Sequence, residues 1–147
     1  MTTDKSKTLT TSIRLLNEKL HFEGEVPGNE PVSIDYVAPL GDDLGYTSLE
    51  LFLLSLSSCA GSAILVILRR MNKRIDSFGI TSTGYRKQDH PTGFNEINLE
   101  ISLRSEDVSF GELKHVIKRI EGICPLLSML NDSVITKFVF VLNKEHE

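Results

Sequence analysis

The chain has 147 residues, 40% hydrophobic and 24% charged, the proportions of a soluble globular protein with one core, so a single domain over residues 1–147 is expected. A net charge of -4 and a pI near 5.6 argue against a broad electrostatic footprint for DNA or RNA. Residues Met1 to Thr8 are polar and read as a flexible tail, not a signal peptide, and no run reaches the ~18 uninterrupted apolar residues of a membrane span, so a cytoplasmic protein without a membrane partner is expected.

Alternation in Thr11–Leu16, Leu20–Gly24 and Val32–Val37 predicts three short antiparallel strands parted by Asn17-Glu18-Lys19 and Pro27-Gly28-Asn29. A loop punctuated by Pro39, Gly41 and Gly45 then delivers the chain to Thr47, which with Glu50 forms a capping-box pattern. A helix is expected from Ser48 to about Asn72. Its first twenty residues carry no charge except Glu50, which predicts a helix buried nearly all round. One small sheet covers only one face. A homodimer whose helices meet would cover the rest, with Ser55, Ser57, Ser58, Ala60, Gly61, Ser62 and Ala63 permitting close approach. The basic cluster Arg69, Arg70, Lys73 and Arg74 falls at the helix end, where cations complement the negative end of the dipole.

Gly79–Arg86 and Phe94–Leu103 read as two long strands joined by the turn-rich Gln88–Gly93. The second places Ile97, Leu99, Ile101 and Leu103 on one face and Glu96, Asn98, Glu100 and Ser102 on the other. Ser109 and Glu112 form a further capping-box pattern, opening an amphipathic helix through Val116, Ile117 and Ile120 that Gly122 is expected to break. Pro125 suits the first position of a short helix over Leu126–Asn131, and Val134–Leu142 reads as a closing strand. Strands, a helix, strands, helices and a strand, without a βαβ rhythm, indicate an α+β fold.

The two cysteines stand 65 residues apart, Cys59 midway along the long apolar helix and Cys124 directly before Pro125. Their separation fits no zinc pair such as C-x-x-C, and two thiols in a reducing compartment are not a disulfide framework. They are either unrelated core residues, free cysteine being among the most buried types, or a redox pair that meets in space. The start of the helix opened by Pro125 would favour a thiolate at Cys124 and make it the more reactive sulfur.

The stretch Gly45-Tyr-Thr-Ser-Leu-Glu-Leu51 leading to Ser58-Cys59-Ala60, together with Cys124-Pro125 followed by Leu126-Leu-Ser-Met-Leu130, resembles the OsmC/Ohr family of osmotically inducible and organic hydroperoxide resistance proteins, in its OsmC-like branch. The resemblance spans nearly the whole chain. It implies an OsmC-like fold, with antiparallel sheets packed around a long buried central helix in an intertwined homodimer. It also implies a thiol peroxidase of oxidative stress defence that reduces fatty or other organic hydroperoxides without a cofactor. Cys59 matches the peroxidatic cysteine and Cys124 the resolving one, their disulfide being reduced by an external thiol or dithiol, lipoyl-linked in some members.

A buried thiol needs a cation or hydrogen-bond donors to ionise near neutral pH, and the family supplies an arginine held by a glutamate. In the hydroperoxidase branch that glutamate lies ten residues before the cysteine, where this chain has Leu49; Glu50 lies nine before. Nine residues turn Glu50 about 180° around the helix from Cys59. Glu50 is thus either a capping residue for Thr47 or a group that reaches the partner subunit's thiol. The family arginine lies near the turn between the first two strands, so Arg14 or Lys19 would stand in for it, although Arg14 occupies the polar phase of its strand and also reads as a surface residue.

Four histidines, His21, His90, His115 and His146, fall on a strand, a turn, an exposed helix face and the C-terminal tail, so no metal site is expected. The sequence has no Gly-x-Ser-x-Gly elbow, P-loop or Gly-x-Gly-x-x-Gly. Two rival readings stay open: a non-catalytic small-molecule binding or redox-sensing protein on the same fold, and a structural dimer whose cysteines are inert.

Overall fold

The structure, a computed structural model, describes residues 4–144, and the chain divides into two compact units, one ending at Leu51 and the other beginning at Phe52. Of the expected tail, residues 4–8 are exposed and outside any strand or helix; the rest lies outside the described residues.

In the first unit, β1 (Ser12–Leu15), β2 (Phe22–Glu25) and β3 (Val32–Ile34) form an antiparallel sheet in that order. β3 stops three residues short of the expected Val37 because Asp35 turns the chain out of the sheet. Its carboxylate accepts the backbone N–H groups of Tyr36, Asp42 and Leu44 at 2.7, 3.1 and 3.1 Å. Burial of this side chain works against its charge, but the three donors outweigh that and hold the carboxyl below its usual range. The loop returns as an isolated bridge from Ile34 to Tyr46. Gly45 is required there, since a Cβ would run into the Ser33 carbonyl. The first turn of α1 (Ser48–Arg70) then opens with a reciprocal cap, Thr47 N–H to Glu50 at 2.9 Å and Glu50 N–H to the Thr47 hydroxyl at 3.2 Å.

The second unit contains the rest of α1, β4 (Ser77–Arg86), β5 (Phe94–Arg104), α2 (Phe110–Ile120), α3 (Pro125–Ser128) and β6 (Ile135–Leu142). β4 pairs antiparallel with β5 as expected. β6, by contrast, pairs parallel to β5, from Glu96↔Ile135 to Leu103↔Leu142, which corrects the expectation of purely antiparallel sheets. The physical reason is the crossover: α2 and α3 carry the chain back to the starting end of β5, so β6 must run in the same direction. Alternation reads the same in either direction, so the pattern alone could not show this.

α1 lays Leu56, Ala60, Gly61, Ile64, Ile67 and Leu68 against this sheet and α2. Ile97, Leu99, Ile101 and Leu103 of β5 and Leu113, Val116, Ile117 and Ile120 of α2, each at most 3% exposed, complete the core. The expectation of a helix buried nearly all round is corrected for the single chain. Leu54 and Val66 are 54% and 45% exposed, and Ser58 and Ser62 are exposed beside them. At 23 residues α1 has the length and apolarity of a membrane span, but its buried stripe belongs to the core of this fold.

Candidate active site

Two short-range rules place Cys124. The Ser109–Glu112 capping box starts α2, and the helix ends at Ile120 in a run of tightening turns, with Gly122 N–H to Arg119 O at 3.1 Å and Cys124 N–H to Ile120 O at 2.8 Å. Gly122 takes no positive φ; the stop rests on these turns and not on a left-handed glycine. Cys124 is extended, with φ -75° and ψ 115°, as the residue before a proline must be, and Pro125 opens α3. α3 sets Leu126 and Leu127 against Leu56, Ile97 and Leu99, and Cys124, just before it, is completely buried.

Cys59 lies on α1, one turn after Leu56 and beside Ala60, and is partly exposed. The tertiary fold brings the two sulfurs together: Cys124 Sγ and Cys59 Sγ stand 2.8 Å apart, inside ordinary contact distance, and both cysteines are free. A disulfide needs a sulfur separation of about 2.05 Å, so closing one here asks for under about 1 Å of movement. One thiol can be reached from solvent and the other waits beneath it. This arrangement allows attack on an electrophile at Cys59 followed by condensation with Cys124.

Burial pushes the Cys124 thiol up, and the adjoining Cys59 sulfur and the charge it would carry push it further. The backbone N–H groups of Leu127 and Leu126 pull the other way, but they close no capping bond to the sulfur and do not prevail. This reverses the expectation that Cys124 is the more reactive sulfur. A four-residue helix offers little dipole, whereas full burial withholds all solvation from a thiolate.

The other two candidates belong to the first unit, each with a partner of its own. Arg14, exposed on β1, pairs with Glu23 at 2.9 Å across the strands. Glu50 is engaged by Thr47, whose backbone N–H, then hydroxyl, hold its carboxyl below the usual range. Lys19 pairs with Asp42 at 2.5 Å. Glu23 was not anticipated, since naming it needs the register that sets it opposite Arg14. Neither was Asp35, whose signal was a lone acid inside an apolar strand pattern. His21 shares a 2.7 Å hydrogen bond with Ser33, and His146 lies outside the described residues. Among the described residues no group of three His, Cys, Asp or Glu is placed to hold a metal.

The described residues thus form a mixed α+β protein of two three-stranded sheets and few helices, with a close pair of thiols, one on α1 and one directly before α3. The OsmC-like protein family model matches residues 41–138, and the chain belongs to that family. No curated protein matches it. Among solved structures, a hypothetical protein from Aquifex aeolicus is similar at 21% identity with a TM-score of 0.80, covering 95% of this chain and 99% of that one. An OsmC-like protein from Mycoplasma pneumoniae is similar at 20% identity and a TM-score of 0.81, covering 93% and 98%. The organic hydroperoxide resistance protein OhrB of Bacillus subtilis is similar at 18% identity and a TM-score of 0.65, covering 91% and 98%. At these identities the likeness is one of fold.

Proposed function

We propose that this chain is a cytoplasmic, homodimeric thiol peroxidase that reduces organic hydroperoxides through Cys59 and Cys124. The observation that carries the reading is the 2.8 Å approach of a partly exposed thiol to a buried one. Fold relatives described as organic hydroperoxide resistance proteins support the substrate class. In the first step the Cys59 thiolate attacks a peroxide oxygen: an S–O bond forms, the O–O bond breaks, and the departing alkoxide takes a proton from water to become the alcohol. In the second, Cys124 attacks the sulfenic sulfur; the disulfide forms, and the thiol proton leaves with the hydroxyl as water. An external thiol or dithiol restores both cysteines. Arg14, oriented by Glu23, is the proposed activating cation, and Glu50, itself negative, is proposed only as a carboxylate that holds a cation.

One equivalent of cumene hydroperoxide is expected to convert purified protein within seconds to an intramolecular Cys59–Cys124 disulfide, read as loss of both titratable thiols and of two mass units. Thiols that stay free for hours would sink the peroxidase reading and favour the binding protein.

The exposed side of α1 supports the dimer. Leu54, Ser57, Ser58, Gly61, Ser62 and Leu65, with Phe78 and Ile80 of β4, line a shallow groove of about 330 Å³ whose small residues admit a second helix closely. Ser62→Arg puts a charge into that contact, and light scattering is expected to find a dimer for the natural sequence and a monomer for the variant. A natural sequence already monomeric at micromolar concentration counts against the dimer.

A further inference from the structure

The proposed cycle leaves a disulfide between Cys59 and Cys124, and an external thiol must attack one of its two sulfurs. The sulfur attacked becomes the mixed disulfide and the other leaves as a thiol, so the choice decides which cysteine the reductant touches. In this fold the two are not equivalent. Cys124 has no surface open to solvent, whereas Cys59 is partly exposed on α1. The sulfurs already stand 2.8 Å apart, so closing the bond takes under about 1 Å of movement, too little to lift Cys124 out of the core. Every approach to Cys124 therefore displaces packed side chains, while Cys59 can be met from solvent. Leaving-group chemistry pulls the other way. A sulfur of lower pKa leaves faster, and burial holds Cys124 up, so ease of departure alone would favour attack on Cys124. Access decides between the two effects, because a sulfur that no reductant can meet is not attacked.

We propose that Cys59 is the sulfur the reductant attacks, so that oxidant and reductant both enter through Cys59 and Cys124 meets neither. This rests on the peroxidase reading and specifies its reductive half. In the first step a reductant thiolate forms an S–S bond to Cys59 Sγ. The Cys59–Cys124 bond breaks, its electron pair goes to Cys124, and Cys124 takes a proton from water to become a thiol. In the second step another thiolate, the other arm of a dithiol or a second thiol, attacks the reductant's own sulfur in the mixed disulfide. Cys59 departs as a thiolate, and the oxidation is carried away as the reductant's disulfide.

Sulfite reads the choice directly, since it leaves an S-sulfonate on the sulfur it strikes and a thiol on the other. The natural chain is closed to the Cys59–Cys124 disulfide with diamide, treated with excess sulfite and quenched in acid at early times. It is then unfolded with N-ethylmaleimide to mark the freed thiol, and peptide mass mapping assigns each label. The folded protein is expected to carry sulfonate on Cys59 and maleimide on Cys124 in at least about tenfold excess over the reverse pattern. Opened in denaturant, where neither sulfur is shielded, the same disulfide is expected to give the two patterns in comparable amounts. Sulfonate mainly on Cys124, or a folded ratio no greater than the denatured one, overturns the proposal, as does a pair that diamide cannot close. A parallel sample oxidised with cumene hydroperoxide tests the underlying reading separately. Sulfonate on Cys59 after diamide, with no disulfide formed by the peroxide, keeps the entry sulfur and removes the peroxidase. A peroxide-made disulfide that opens at Cys124 keeps the peroxidase and removes the proposal.

Discussion

Replacing Cys59 by serine is expected to reduce hydroperoxide consumption to the uncatalysed background, a loss of at least about three decades. Serine keeps the size and a hydrogen-bonding group, but near neutral pH it offers an alcohol where a thiolate must attack oxygen. Because Cys59 is the sulfur open to solvent and Cys124 is fully buried, the remaining thiol cannot take over the first step. Cys124→Ser is expected to behave differently: one equivalent of peroxide is consumed, a sulfenic acid accumulates at Cys59, and turnover with a dithiol falls because no intramolecular disulfide can form. Peroxide remaining after mixing with each variant, with and without dithiol, distinguishes the two. Undiminished consumption by Cys59→Ser would assign the chemistry elsewhere.

The largest effect on stability is expected at Leu56→Ala. Leu56 is fully buried and joins α1 to Ile97 and Leu99 of β5, with Leu126 and Leu127 of α3 packed on the same cluster. Removing three methylene-sized groups there costs about 3 kcal/mol, which for a chain of this length lowers the melting temperature by about 10 °C. The cavity opens under the residues that hold the sulfurs in register, so peroxide-driven disulfide formation should slow in the variant at temperatures where it is still folded. A melt within about 2 °C of the natural sequence would mean that the cluster is not the clamp described here.

Much of this architecture was legible in local sequence. Both capping boxes are visible as Thr47 with Glu50 and Ser109 with Glu112, because the spacing of an N-cap oxygen from the N3 backbone depends on one turn of helix. The alternation of Ile97 to Leu103 marks β5 and its buried face, since strand geometry sends successive side chains to opposite sides. Other features were not legible. The parallel direction of β6 follows from where two helices return the chain, and the partner of Arg14 follows from strand register.

The thiol pair divides along the same line. Residue types and local context determined that Cys59 would sit on a long apolar helix and Cys124 at the mouth of a proline-opened turn, because helix starts are set by a few neighbouring residues. That the sulfurs stand 2.8 Å apart, and that Cys124 is the one shut away from water, was decided by the tertiary structure. Contact across 65 positions and burial are properties of packed elements: they arise when α3 folds onto α1 and β5, and no local propensity encodes them.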